Sequence, residues 1–591
     1  METDNSKDNL NSRTKLFRPV RNEIVQDAST DLPGFVAEEI EEREELYREF
    51  QRTNYGSTIR REGSPRWADD FSPIPPNKLM VITLSMYLGI FLAAADGTLV
   101  STIMAHIASE FKELPRISWI ATTYLLSSAT FQPLYGKLSD IFGRKPLLLM
   151  NNIVFLVGCL MCGLTPSFWG LVGARFISGI GGGGVTSMCS ITISDIVPLR
   201  DRALYQGMCN FFFGLGTACG GIVGGWFSDH SGGWRMAFLI QVPLSALSSL
   251  LIAAFMKLPP RSKRSNSSIS VRDKLLSVDW AGAAVLVVFL SLFLVTASLG
   301  GKEVAFNSKT FVTFCIGSFL ACALFINIEL YGAKDPILPL SFLRDRSVLG
   351  SSFSNWFCMM AIMTTSYYLP IYYSGVLNMS PTSVGKRLMP NFFSTAFGSL
   401  GAGYYMKRTG KYYWFTVGFC FLSLLGHLQI NLMEPDIATW RQYLLLVIPG
   451  FGYSVLITVA LLAMIAAVPH DHHAATTSIS YAFRSTGSTL GVSIGGAIFR
   501  QSLKGLLSRN VLKFEDSHPK KELLEIIENA SKSSEWVHDF APEFIRSTLV
   551  SCYHFACKDT FLFCTLCSIG TLASILIIKE YKLHVSLDRK N

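Results

Sequence analysis

From Leu79 onward the chain is a succession of apolar runs of about 20 residues, the length that crosses roughly 30 Å of hydrocarbon at 1.5 Å per residue. The runs predict fourteen spanning helices, near 79–104, 118–138, 147–165, 168–193, 204–227, 236–256, 280–299, 310–330, 348–373, 383–405, 412–432, 442–468, 475–500 and 559–579. Ahead of them, residues 1–78 are polar, with an acidic stretch from Glu38 to Glu49 and a Ser/Pro/Arg-rich segment before Pro76, and read as a disordered cytoplasmic tail. No apolar stretch lies near Met1, so the first spanning helix is expected to direct membrane insertion itself. An even number of spans puts both termini on one side. Connections after even-numbered spans hold 17 Lys and Arg, from Lys137 to Lys411, against 8 in the short connections of the other face. The positive-inside rule therefore places both termini, including the tail 580–591, in the cytosol. The connection 501–558 then faces the lumen or exterior, where the sequons at Asn378 and Asn529 are candidate glycosylation sites.

Composition agrees. Charged residues are 16% of the 591, against about 25% in soluble proteins, and 49% are hydrophobic. The first 78 residues hold 12 basic and 16 acidic side chains, so the overall net charge of +9 is carried by the apolar body. Such an excess on a membrane body is expected in cytoplasmic loops and not on a nucleic-acid surface. The 13 cysteines lie mostly inside apolar runs and form no disulfide framework, although pairing of Cys552 with Cys557 is left open. The Cys564-x-x-Cys567 pair also lies in an apolar run, so neither metal nor redox use is expected.

The chain repeats itself. Gly136, Asp140, Gly143, Arg144 and Lys145 follow span 2; Gly403, Lys407, Arg408, Gly410 and Lys411 follow span 10, with the glycines and the first basic residue after them at an offset of 267. Gly179 and Gly181 in span 4, and Gly216, Gly220, Gly224 and Gly225 in span 5, recur as Gly450, Gly452, Gly487, Gly491, Gly495 and Gly496 at an offset of 271. Val197-Pro198 recurs as Val468-Pro469 at the same offset. Two homologous six-helix halves follow, 79–256 and 348–579, with a linker and inserted spans 7 and 8 over 257–347. Parallel six-helix repeats with a site at their midplane interface are the architecture of rocking secondary transporters.

These residues carry a family resemblance. Gly136 to Lys145 resembles motif A of the major facilitator superfamily, Arg175 to Gly179 resembles motif B, and Gly216 to Gly225 resembles motif C, with Gly220-Gly221 where Gly-Pro is usual. Asp96-Gly-Thr98, Trp234-Arg235 with Gln241-Val-Pro243, and Phe483-Arg484 to Gly487 resemble the fourteen-helix drug:H+ antiporter branch. Gln132 to Asp140, Ser194-Asp195-Ile and Ile240 to Pro243 are most similar to the fungal vacuolar basic amino acid transporters. The resemblance implies an all-α membrane protein with the major facilitator fold, two six-helix bundles plus two inserted helices. It also implies a proton antiporter moving Lys, Arg or His from cytosol to vacuole.

Asp96 and Arg175 fall at a shared depth, about 10 Å from the outer ends of spans 1 and 4, and are positioned to pair. An isolated charge in the bilayer costs about 2.5–3.5 kcal/mol, so such residues face an interior or a cavity and are functional candidates; the bland reading of this pair is a static staple. A carboxylate occluded there is a candidate proton carrier, tuned by the guanidinium. Arg484, near mid-membrane, suits a substrate carboxylate bidentately, or else tethers helices through backbone carbonyls. At the cytosolic end, Asp140 is expected to accept from amides of a neighbouring helix N-terminus while Arg144 and Lys145 pair across the loop, latching one state of the transport cycle. The glycine rows, Gly216, Gly220, Gly224 and Gly225 and Gly487, Gly491 and Gly495, allow close helix packing. His470-Asp-His472-His473 offers ligands for a metal or groups that sense pH, but reads first as a solvated polar turn.

No phosphate-binding loop and no nucleophile motif occurs, so neither ATP-driven transport nor an enzyme is expected, and no cofactor or metal. The expected partners are a small cationic amino acid, protons and membrane lipid, in a monomer without nucleic acid. Competing readings are a plasma-membrane drug or toxin exporter, whose broad apolar site the 42 Phe permit, and a nutrient sensor that binds without transport.

Overall fold

The computed structural model describes residues 76–111, 118–197, 199–229, 233–256, 278–300, 304, 307–332, 336–338, 340–379, 381–469, 472–514, 518–532 and 534–581. Expectations for the tail before Pro76, for the connector 257–274 and for residues beyond 581 fall outside them.

Among the described residues, every one of the fourteen expected spans is matched by a helix or by a broken pair of helices. They are α1 (Pro76–Phe111), α2a (Ser118–Phe131) and α2b (Leu134–Phe142), α3 (Arg144–Leu164), α4 (Phe168–Ile196), α5 (Leu199–Asp229), α6a (Gly233–Leu239) and α6b (Gln241–Phe255). The inserted pair is α7 (Trp280–Leu299) and α8 (Lys309–Asn327), the latter ending in a π-turn at Ile328–Gly332. Then come α9 (Arg346–Gly375), α10a (Pro381–Leu388) and α10b (Pro390–Thr409), α11 (Tyr413–Asn431), α12a (Thr439–Leu444) and α12b (Val447–Ala467), α13 (His473–Val511) and α14 (Glu543–Leu576). The breaks lie beside prolines: Pro133 between α2a and α2b, Pro243 in the first turn of α6b, Pro390 at the start of α10b, and Pro449 in the first turn of α12b. A proline cannot donate to the carbonyl one turn back, and its ring crowds that turn, so the helix restarts.

Ten helical segments among the described residues are long and apolar enough to cross a membrane. Spans 2, 9, 10 and 13 are not among them. On α9 the reason is visible, because Ser351, Ser352, Ser354, Asn355, Thr364 and Thr365 are all fully buried against protein. A helix screened from lipid by its neighbours does not need a continuous apolar surface. By contrast α8 turns outward, with Phe319 and Leu320 largely exposed, while α7 lies along the seam, against α2a and α13.

The connection 501–558 is not the open loop that hydropathy suggests. Helix α13 runs 39 residues, about 58 Å, well past the hydrocarbon, and α14 begins at Glu543. Between them, the helix Lys520–Lys532 buries Leu523, Ile526 and Ala530, spaced three and four apart, in one core with Leu507, Val511, Ile545 and Leu549. A hydropathy window cannot see this extension, because the protruding turns are amphipathic and not uniformly apolar. Within it Asn529 lies on a helix and is half-buried, whereas Asn378 sits in an exposed turn at φ +50°. Cys552 and Cys557 are buried free thiols, as are Cys564 and Cys567.

The internal repeat reappears in the packing. A Cβ on Gly216 would stand 2.3 Å from the Phe91 carbonyl oxygen of α1, and one on Gly220 would stand 2.3 Å from that of Ala95. In the second half the equivalent distances are 2.6 Å from Gly487 to the Trp356 oxygen of α9 and 2.6 Å from Gly491 to that of Met360, while Gly495 meets Thr364. Gly224 and Gly225 continue the first row on α5. Each row therefore lets the fifth helix of its half touch the first backbone to backbone. Gly491→Ala is expected to lower thermal stability by about 1–3 kcal/mol through overpacking, whereas Gly401→Ala, which meets nothing within 4 Å, leaves it unchanged. Melting of the purified protein in detergent distinguishes the two.

Candidate functional site

The two halves meet most firmly at one end. Among the described residues, the apolar cores that join them contain Ala203 with Met406 and Tyr412, Ala474 with Tyr135 and Leu147, and Leu134 with Met464 and Ile479. All lie toward the motif A end of their helices. At the opposite end the clusters belong to a single half, Leu99 to Phe238 in the first and Tyr368 to Phe561 in the second. The halves are closed on each other at the motif A end.

Close backbone approach makes that closure possible. A Cβ on Gly136 would lie 2.6 Å from the Ala474 carbonyl oxygen at the start of α13, and one on Gly403 would lie 2.6 Å from that of Ala203 on α5. Gly143 adopts φ +92°, a conformation strained for any other residue, and turns the chain from α2b into α3. That turn sets Arg144, which is 6% exposed, between two carboxylates: Asp140 at 2.7 Å and Asp195 of α4 at 2.7 Å. Ser139 takes a further guanidinium hydrogen bond. Lys145 does not pair across the loop as the sequence suggests; its Nζ donates to the Ala253 carbonyl at 2.7 Å, near the C-terminal end of α6b, where a cation suits the helix dipole. Asp195 was legible only as part of a family signature, yet an acid at the end of an otherwise apolar span is itself a signal that a buried cation stands opposite.

Asp96 and Arg175 do pair. The distance is 2.6 Å and both are buried, with 0% and 1% of their side chains exposed. Gln241 Nε2 donates to the other carboxylate oxygen at 3.4 Å, Arg175 Nε reaches the Ile120 carbonyl at 3.4 Å, and the Tyr124 ring lies 4.3 Å beneath the guanidinium. All these partners belong to the first half. Nearer the end of α1, Glu110 accepts from Trp234 Nε1 at 2.6 Å and from Arg235 at 2.7 Å. Burial raises the Glu110 carboxyl, but these hydrogen bonds and the Arg235 charge outweigh it and hold it below its usual range. The link is thus present above the unfolded-state value and is lost only as pH falls through the lowered one, so mild acid leaves it intact.

Arg484 lies on α13, eleven residues from His473 and so about 16 Å along the helix. Its guanidinium stands 4.8 Å from the Tyr481 ring, with Tyr453 close by. Its Nε and Nη1 are buried without a hydrogen-bond partner. The tether to backbone carbonyls is not seen. Orphaned guanidinium donors in a low-dielectric setting are costly unless something fills them. Nor do Asp96 and Arg484 face one site: Asp96 is spent on Arg175 inside the first half, while the neighbours of Arg484 belong to the second. Between the halves run polar links that sequence reasoning missed, Ser190 to Tyr481 at 2.6 Å and Asn210 Nδ2 to Ser399 at 2.9 Å and Thr458 at 3.0 Å. Ser, Thr and Asn within a span carry no periodic signature, so only the fold brings them together.

A midplane seam between two repeated halves, closed at one end, defines a protein of the secondary-transporter class. The chain belongs to the major facilitator superfamily, whose family profile matches residues 86–496. It is 34% identical over 499 residues to the vacuolar membrane amino acid uptake transporter fnx2 of Schizosaccharomyces pombe, covering 84% of each chain. The multidrug resistance protein fnx1 of the same organism is 33% identical over 85% of this chain and 93% of its own. Vacuolar basic amino acid transporter 2 of Saccharomyces cerevisiae is 32% identical over 78% of this chain and 97% of its own.

Replacing Asp140 or Asp195 by Asn weakens the clamp on Arg144, remote from the midplane. Turnover is expected to fall about tenfold, the effect of removing about 1.4 kcal/mol from one state, with little change in apparent affinity. Uptake kinetics in vesicles read the two parameters separately, and an effect on affinity alone would overturn the latch.

Proposed function

We propose that this protein is a proton-coupled antiporter that moves basic amino acids, Lys, Arg and His, from the cytosol into the vacuole by alternating access. The observation that carries the reading is the partnerless guanidinium edge of Arg484, which sits on α13 beside the seam and suits a substrate carboxylate. The rings of Tyr481 and Tyr453 stand beside it, and the Arg484 guanidinium already lies 4.8 Å from the Tyr481 ring. The substrate class is supported by the names of the vacuolar relatives, and the vacuolar membrane with them. The positive-inside count supports termini and motif A in the cytosol, with Asn378 and Asn529 on the lumenal side and Asn378, in its exposed turn, the better glycosylation acceptor.

The proton site in this reading is Asp96. Its carboxylate is neutralised by Arg175 while the lumenal end is open; a proton from the acidic lumen displaces the guanidinium, frees α1 and α4 to shift, and is released on the cytosolic side. Each pH unit supplies about 1.4 kcal/mol per proton, so two units sustain accumulation of about a hundredfold at one-to-one exchange.

Uptake of labelled Lys, Arg and His into vacuolar vesicles, driven by ATP-dependent acidification, tests the reading. Accumulation is expected to collapse with a protonophore; persistence without a proton gradient would overturn the coupling. The multidrug relative favours an exporter as the second reading, and uptake of neutral drugs but not basic amino acids would establish it. Asp96→Asn is expected to abolish proton-driven accumulation in protein that remains monodisperse. Arg484→Gln is expected to weaken substrate binding by on the order of tenfold or more, the worth of one charge-assisted pair, measured by substrate-induced thermal stabilisation.

A further inference from the structure

His473 is not part of a solvated turn. It is 6% exposed, in the first turn of α13, and its Nδ1 lies 3.2 Å from Arg202 Nη1 on α5, across the seam between the halves. Arg202 is 3% exposed, and its Nε is committed to the Val197 carbonyl at 2.7 Å. A guanidinium has only donors, so this contact requires His473 Nδ1 to be an acceptor: the ring is neutral, with its proton on Nε2. Adding a proton converts the hydrogen bond into two cations in contact, away from water. The first turn of a helix, where the dipole is positive, makes that charge still less welcome.

We propose that His473 is a proton-binding gate residue, whose protonation breaks the Arg202 contact and opens the motif A end. Among the described residues, the nearest carboxylates are engaged with other cations. On α4, Asp195 is within electrostatic reach of Arg202 but is held by Arg144 at 2.7 Å. Elsewhere on α5, Asp201 is paired with Lys407 of α10b at 3.0 Å, itself a link between the halves. On α2b, Asp140 is shared with Arg144, and Lys137 adds another cation. On the same chain turn, His472 packs its ring 4.9 Å from Phe342 of the insert. Protons from this face therefore favour the open state, because opening separates His473 from Arg202 and returns both to water. The device is independent of the proton carried through the membrane and of the substrate, since it needs only the two halves.

Hydrogen–deuterium exchange of the full chain in nanodiscs, corrected for intrinsic rates, reads the gate directly. Between about pH 7.5 and about pH 5.5, the interval in which imidazole titrates, peptides covering 199–210 and 473–482 are expected to lose protection by about tenfold, the effect of one pH unit of coupling, while α1 does not. His473→Gln, neutral at every pH, is expected to retain protection at the acidic end. Arg202→Gln, which removes the opposing cation, is expected to flatten the same profile, so that a folding defect in one variant leaves the other to decide. A wild-type profile without a pH step, or a step of equal size in the folded variants, would overturn the proposal.

Discussion

A buried arginine must find its partners inside the protein, because hydrocarbon supplies none, and the architecture follows where three of them found theirs and a fourth did not. Arg175 is satisfied by Asp96 and aromatic faces within the first half. Arg144 is gripped by Asp140 and Asp195 at one end of it. Arg202 reaches across the seam to His473. Arg484 is the exception, with two donors unfilled. Three satisfied arginines give rigid bundles and one closed end; the fourth leaves an unfilled demand beside the seam.

The symmetry of the halves is a matter of glycine as much as of charge. Gly216 and Gly220 against α1, and Gly487 and Gly491 against α9, place equivalent backbones at nearly equal distances. Close packing of this kind transmits displacement instead of absorbing it. A shift of α1 would thus be passed to α5, which carries Asn210, Arg202 and Asp201 to the second half. The inserted α7 lies against both α2a and α13, so the seam is lined by an element that neither repeat contains.

How far the site was legible depends on the kind of signal. Charged residues announce themselves in an apolar chain, since each is costly there: Asp96, Arg175 and Arg484 stood out at once, and the pairing of the first two followed from a shared depth along their helices. The histidines did not. His472 and His473 follow Pro469 by three and four residues at the end of an apolar run, and closeness to a turn reads as exposure. The start of α13, however, is pressed against α2b through Gly136, which buries His473. The acceptor of Lys145 was not legible for a similar reason, because the Ala253 carbonyl lies 108 residues away.

The sequence by itself determined the fourteen spans and the two repeated halves. Those features follow from length, apolarity and local backbone geometry, which act within one turn or one bilayer thickness. Only the tertiary structure decided which end is closed, which carboxylates clamp Arg144, that Asp96 and Arg484 do not share a site, and that the connection 501–558 folds into helices packed on α13 and α14. These depend on which faces of distant helices are turned toward each other, and a helix of uniformly apolar surface does not announce its inward face in its own sequence.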